Sequence, residues 1–327
     1  MEHLAIFVEN VRGRPPVYQM TADKIEAALA AQPGLARRLA ITIGWSDEEN
    51  PARAAAEVLI GSRFDPRTLR ARMPRLRWVQ TTSAGVEHLA PLDWVGDLVL
   101  TNASGAHGPK AGEFGLMALM MLNDHMPAHA TNQRRHEWSR LFSTPIAGKI
   151  AVIVGTGGMG AAVAEKARLL GVRLIGVSRS GKAHPAFERV VPVGELASVL
   201  PQADFLVVAC PLTPATRGLI DARALDLLKP EAGLVNIGRA AIVDYAALRA
   251  RLESGRLSGA VLDVFDPEPL PADAPWWDVP NLVVVPHVSS DHADAYLLRV
   301  LEGFFANVAR YLAAAPLENR VDPALGY

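Results

Sequence analysis

The sequence predicts an α/β protein built on parallel sheets, and three observations predict it. The apolar run Ile150-Ala151-Val152-Ile153-Val154 leads directly into Gly155-Thr156-Gly157-Gly158-Met159-Gly160 and then into a helical pattern. Short apolar runs recur along the chain, separated by stretches long enough for crossover helices. The chain has 327 residues, 50% of them hydrophobic, enough to bury a large core and to form two domains.

Taken in order, the runs 4–8, 39–43, 58–60, 76–79 and 98–100 alternate with helical stretches, the pattern of a parallel α/β domain. Between Gly105 and Met126 the segment 114–122 is apolar nearly all round, so a buried helix is expected there. Its methionines read as core filler rather than ligands. A second series begins at Ile150, with strands expected at 150–154, 173–177, 205–209, 233–237, 259–262 and 282–285. Six strands with intervening helices fit a doubly wound sheet. The helix after the first of them is expected over 161–170, closed by Gly171, and a last long helix over 293–314.

Strand, Gly-x-Gly-x-x-Gly and helix together form a dinucleotide fingerprint. Gly155 permits the tight turn, Gly157 lets backbone approach a pyrophosphate, and Gly160 allows close helix–strand packing. The helix N-terminus then offers N–H groups to phosphates, so 155–160, with Gly158 and Met159, is a candidate cofactor loop. Charge nearly cancels, with 33 Lys and Arg against 34 Asp and Glu, which argues against a nucleic-acid or membrane partner. Cys210 is the single cysteine, so no intrachain disulfide forms, and a reducing cytoplasm is expected. Beside Pro211, at the end of an apolar run, it reads as a packing thiol. No apolar stretch reaches membrane-spanning length, and no basic leader precedes one. No metal site is expected.

Ligands of open α/β sheets bind at the carboxyl ends of the strands. Three polar side chains follow predicted strands there: Arg239 after 234–237, Glu268 after 261–264 and His287 after 283–285. Arginine forks onto a carboxylate in bidentate geometry. Histidine exchanges protons near neutral pH, and a nearby glutamate fixes its tautomer and favours its charged form. Singly, each reads as a surface cation, an acidic loop residue or a capping histidine; their joint placement favours a catalytic set.

With these motifs in view, the chain resembles the D-isomer-specific 2-hydroxyacid dehydrogenases nearly throughout. The resemblance rests on Thr82-Ser83-Ala84-Gly85-Val86, the 155–160 loop, Pro211-Leu212-Thr213 with Thr216, and Asn236-Ile237-Gly238-Arg239. It continues through Asp263-Val264-Phe265-Asp266-Pro267-Glu268-Pro269 and Pro286-His287-Val288-Ser289-Ser290. It implies two Rossmann-like domains: a doubly wound NAD(P)-binding domain over 103–288, and a smaller flavodoxin-like substrate domain over 1–102 and 289–327. It implies Arg239, Glu268 and His287 as catalytic residues. The substrate carboxylate would sit on Arg239 and on the turn of Ser83, Ala84, Gly85 and Val86, although the local sequence there also suits an ordinary strand-to-helix turn. Pro211, Thr216, Ile237, Gly238 and Asp263 would line the cofactor, and a homodimer is expected. The implied activity is NAD(P)-dependent reduction of a small 2-oxo acid such as glyoxylate or hydroxypyruvate. Another acid, phosphite oxidation and a nucleotide-sensing corepressor are the alternatives.

NAD enzymes place an acid about twenty residues beyond the glycine loop, to bind the ribose diol. Here Gly176-Val177-Ser178-Arg179-Ser180 has serine instead. Ser178 and Ser180 can donate to a 2′-phosphate and Arg179 can pair with it, so NADP is expected as the preferred cofactor, with NAD possible. Ser290 either contacts substrate or cofactor or caps the final helix. Arg63 is a further candidate anion contact or a solvated cation, and Trp276-Trp277 either borders the site or packs under a loop.

Overall fold

The computed structural model describes residues 3–292 and 295–327. The chain divides into two compact units, Met1–His107 with His292–Tyr327, and Gly108–Asp291.

The first unit holds β1 (Leu4–Asn10), β2 (Leu39–Trp45), β3 (Val58–Gly61), β4 (Trp78–Thr81) and β5 (Val99–Thr101). They pair in parallel in the order β2-β1-β3-β4-β5, the flavodoxin-like arrangement. β1, β3, β4 and β5 alternate their side chains between two apolar layers, as period-two geometry demands. Ile6, Val8, Val58, Ile60 and Trp78 share one layer with Phe304, Phe305 and Val308 of the helix Tyr296–Leu312. Phe7, Leu59, Val79 and Leu100 build the other. Trp78 satisfies its buried indole by donating to Thr101 Oγ1 at 2.7 Å, which donates in turn to Gln80 Oε1 at 2.7 Å. The final helix is shorter than expected and has Ala295, not Ser290, at its N-cap; positions 293 and 294 lie outside the described residues.

The second unit holds β6 (Ile150–Val154), β7 (Arg173–Ser178), β8 (Arg189–Pro192), β9 (Phe205–Val208), β10 (Gly233–Asn236), β11 (Gly259–Leu262) and β12 (Leu282–Val284). All pairings are parallel, in the order β12-β11-β10-β9-β6-β7-β8. This is a doubly wound sheet whose order reverses between β6 and β9. It has seven strands where the sequence predicts six. The unpredicted β8 is an edge strand with only two apolar residues between Arg189 and Pro192, too short a run to register as apolar. The helix after β6 spans Gly158–Arg168, beginning inside the glycine loop rather than after it. Among the described residues no helix is long and apolar enough to cross a membrane.

The helix Gly108–Asn123 is buried along most of its length and packs against Gly158–Arg168 through two glycines. A Cβ on Gly112 would lie 2.8 Å from the Ala162 carbonyl, and one on Gly115 would lie 2.7 Å from Cγ1 of Val163. Valine in a helix has essentially one rotamer and cannot yield. Gly115→Ala is therefore expected to cost about 1–3 kcal/mol despite alanine's better helix propensity, a typical penalty for overpacking. Urea denaturation reads the loss, and an unchanged or higher midpoint would show that the two helices can move apart freely.

Candidate active site

The glycine loop is built around backbone contacts that exclude side chains. Gly155 has φ +104°, and a Cβ there would lie 2.7 Å from the backbone of Ala209 and Cys210. A Cβ on Gly160 would overlap the Gly155 carbonyl. At Gly157, by contrast, a Cβ would meet no protein atom within 4 Å. Gly157 is the N-cap of the helix Gly158–Arg168, whose first turn leaves N–H groups pointing into that open space. Such a cradle fits a dinucleotide pyrophosphate.

The neighbouring strand ends complete this rim. After β7, Ser178 Oγ accepts from the Gly181 N–H at 3.1 Å, and Ser180 Oγ accepts from the Lys182 N–H at 3.3 Å. These bonds fold 178–182 into a turn that carries Arg179 and no carboxylate. After β9, Thr216 Oγ1 donates to the Pro211 carbonyl at 2.7 Å and accepts from the Thr213 N–H at 2.8 Å, closing the 211–216 loop. Burial pushes the Cys210 thiol up to about 11, which leaves it an unreactive packing group. After β10, Ile237 is buried and Gly238 lies close enough to Cys210 that a Cβ would sit 2.9 Å from its carbonyl.

Arg239, Glu268 and His287 follow the adjacent strands β10, β11 and β12 at their carboxyl ends. The structure joins two of them directly: His287 Nδ1 lies 2.7 Å from Glu268 Oε2. Glu268 is fixed by its other oxygen, which accepts from the Phe265 N–H at 2.8 Å. With Nδ1 held, Nε2 is the nitrogen left to meet a ligand. His287 adopts φ +54°, a left-handed conformation that costs energy in a residue with a Cβ. Asp263 supports it. One carboxylate oxygen accepts from the N–H groups of Val288 at 2.8 Å and Ser289 at 3.1 Å, and the other from Ser289 Oγ at 2.5 Å. Burial pushes the Asp263 carboxyl up, and these hydrogen bonds oppose the shift. Ser290 is half-buried immediately beyond.

Arg239 is half-buried and donates Nη1 to the Gly238 carbonyl at 2.8 Å. Its backbone is held by Asn236 Nδ2, which donates to the Arg239 carbonyl at 3.1 Å and to Tyr245 Oη at 3.2 Å. Tyr245 in turn donates to the Val264 carbonyl at 2.7 Å, so one phenol links the loops after β10 and β11. Sequence reasoning missed this link, since Tyr245 and Val264 lie 19 residues apart. Trp276 packs on Tyr245 and Phe265, with ring centroids 5.0 and 6.2 Å away, and Trp277 caps the Pro271 carbonyl at 2.7 Å. Trp276 therefore packs under its loop, whereas Trp277 is exposed.

In the first unit, the turn after β4 has all its carbonyls engaged. Ser83 O accepts from the Ala103 N–H at 3.0 Å, Ala84 O from Asn102 Nδ2 at 2.9 Å, and Gly85 O from Ser83 Oγ at 2.8 Å. Among the described residues nothing accepts from the N–H groups of Ala84, Gly85 or Val86. Successive free N–H groups of this kind make an anion-binding concavity.

A family model described as D-isomer specific 2-hydroxyacid dehydrogenase, NAD binding domain, matches residues 116–289. The chain belongs to the D-isomer-specific 2-hydroxyacid dehydrogenases. A glyoxylate/hydroxypyruvate reductase B from Pectobacterium carotovorum is 33% identical over 288 residues, covering 84% of this chain and 88% of that protein. A D-isomer specific 2-hydroxyacid dehydrogenase from Xanthobacter autotrophicus, solved with NADPH and MES, superposes with a TM-score of 0.84 at 29% identity over 99% of both chains. An NADPH-dependent glyoxylate/hydroxypyruvate reductase from Sinorhizobium meliloti, solved with NADP and sulfate, gives 0.78 at 28% identity, covering 99% of this chain and all of that one. This 2-hydroxyacid dehydrogenase is thus an oxidoreductase with a Rossmann NAD(P)-binding domain.

Because Tyr245 serves both loops, Tyr245→Phe leaves the Val264 carbonyl and an Asn236 N–H without partners. The expected loss is about 1–3 kcal/mol of unfolding free energy, the cost of orphaned buried groups. Denaturant titration of the purified variant measures it, and wild-type stability would mean that water replaces the phenol at no cost.

Proposed function

We propose that this enzyme reduces a small 2-oxo acid of the glyoxylate or hydroxypyruvate type to the D-2-hydroxy acid, with NADPH preferred over NADH. The observation that carries the reading is the Glu268–His287 pair, 2.7 Å apart, at the same sheet edge as the glycine cradle. When bound, a reduced nicotinamide supplies hydride to the carbonyl carbon. His287, protonated, donates from Nε2 to the carbonyl oxygen, and Glu268 holds the imidazolium until transfer. Arg239 forks onto the substrate carboxylate and stabilises charge developing on the oxygen. In this reading 103–288 is the cofactor domain, and 1–102 with 289–327 is the substrate domain, whose Ala84, Gly85 and Val86 N–H groups receive a carboxylate. Gly155, Gly157, Gly158, Met159 and Gly160 take the pyrophosphate. Pro211, Thr216, Ile237, Gly238, Asp263 and Ser290 shape the remainder of the cofactor cleft through the loops they fix.

A homodimer in the cytoplasm completes the reading. Trp138 is 98% exposed and Phe142 77% exposed, beside a cavity of about 870 Å³ lined by His129, Gln133 and Leu141. Apolar surface of this kind is normally covered by a partner. The relatives described with NADPH or NADP support the cofactor preference.

Steady-state turnover of a panel of 2-oxo acids with each cofactor tests the proposal, and failure to reduce any of them would overturn it. His287→Ala is expected to abolish reduction while cofactor still binds. Glu268→Gln is expected to move the alkaline fall of the reductive rate to lower pH, because the imidazolium loses its stabilising carboxylate. An unchanged pH–rate profile in Glu268→Gln would refute the pairing in catalysis.

Cofactor choice is tested at the turn after β7. A carboxylate at position 178 would repel a 2′-phosphate and grip the ribose diol instead. Ser178→Asp combined with Arg179→Ala is expected to reverse the kcat/KM order of NADPH and NADH. Charge-assisted contacts contribute about 1.5–3 kcal/mol each, so the change in ratio should reach tenfold or more. Wild-type preference for NADH would assign Arg179 to solvent.

A further inference from the structure

The first unit contains a cavity of about 440 Å³ with Ser83 in its wall and two arginines, Arg14 and Arg63, among its lining residues. Arg14 is half-buried and held from three sides. Nη1 donates to Ser62 Oγ at 3.2 Å, the guanidinium lies 4.6 Å from the Tyr18 ring centroid, and its carbonyl accepts from Gln19 Nε2 at 3.2 Å. Arg63 follows Ser62 directly after β3, and His88 joins the lining from beyond the 83–86 turn.

Arg12, Arg53, Arg67 and Arg70 of the same unit are each ion-paired, with Asp47, Glu9, Asp65 and Asp97 respectively. Among the described residues no carboxylate pairs with Arg14 or Arg63, and no acidic residue is among those lining the cavity. Two unneutralised guanidiniums and an imidazole around one concavity raise the local concentration of anions and offer planar forks for oxygen pairs. The apolar stems and the Tyr18 ring limit competing solvent around Arg14, which strengthens the attraction.

We infer that Arg14 and Arg63, with His88, form a second anion subsite that selects 2-oxo acids carrying a carboxylate or sulfonate at the far end of a short side chain. This rests on the reading that the Ala84, Gly85 and Val86 N–H groups receive the 2-oxo carboxylate, since Ser83 places that turn in the wall of the same cavity. A dianionic substrate then spans from the turn to the arginines within one unit. A neutral chain of equal length meets cationic groups it cannot satisfy.

Matched substrates test it: 2-oxosuccinate against 2-oxobutyrate, 2-oxoglutarate against 2-oxopentanoate, and 3-sulfopyruvate as the sulfonate arm. Wild type is expected to favour at least one dianion over its matched monoanion by tenfold or more in kcat/KM. Arg63→Gln and Arg14→Gln are each expected to reduce that ratio at least fivefold, chiefly through KM for the dianion. A carboxylate-only or sulfonate-only response identifies which group the subsite takes. A wild-type preference for the monoanions, or ratios unmoved in both variants, would overturn the subsite. If wild type reduces neither class, the reductase reading falls, and calorimetry with succinate and butyrate decides the subsite separately. Succinate binding weakened in both variants, with butyrate weaker from the start, upholds it; equal affinity for the two acids removes it.

Discussion

The geometry of the candidate catalytic edge depends on one buried carboxylate. Asp263 takes two backbone N–H groups and a hydroxyl from 288–289, and so holds the chain beyond His287 in a path that forces the histidine into the left-handed region. Backbone strain persists only where surrounding bonds over-determine it. Here those bonds come from the strand next door, because β11 and β12 are adjacent and Asp263 is the first residue beyond β11. The same loop returns five residues later with Glu268, which meets the imidazole at 2.7 Å. One loop therefore sets both the backbone of the histidine and the tautomer of its ring.

The edge is cross-braced in the other direction by Asn236 and Tyr245. Burial, with the carboxylates of Glu268 and Asp263 adding, holds the Tyr245 phenol well above its usual range, so it remains a hydrogen-bond donor at any physiological pH. It thereby keeps the Val264 carbonyl and the Arg239 loop in fixed relation. Guanidinium, carboxylate and imidazole sit on three neighbouring strand ends whose loops are tied to one another rather than to solvent. Such mutual support is how a rigid sheet lends precision to side chains carried on loops.

Most of this architecture was legible in the sequence because parallel strands are buried on both faces and read as unbroken apolar runs. Ile150-Ala151-Val152-Ile153-Val154 and Gly259-Ala260-Val261-Leu262 fall on strands with the expected bounds. The edge strand β8 lacked that signature, since Arg189 and Pro192 bound only two valines. Positions of Arg239, Glu268 and His287 followed from counting past the strands, and the Glu268–His287 contact agrees with that placement. Tyr245 was not legible, because its partner Val264 lies 19 residues away and the pairing exists only once two strands align. The free N–H groups of Ala84, Gly85 and Val86 were equally hidden, since they result from distant groups, Asn102 and Ala103, claiming the carbonyls.

Both borders of the seven-stranded sheet end in proline or close to it. β8 terminates at Pro192, which has no N–H to offer a further strand, and opens with the charged Arg189. At the opposite border β12 has only three residues, and Pro286 follows two positions later. A foreign strand seeking to extend the sheet would find few consecutive donors on either side. The fold thus carries its own protection against edge-to-edge accretion, a form of colloidal safety for a protein whose sheet interior is almost wholly apolar.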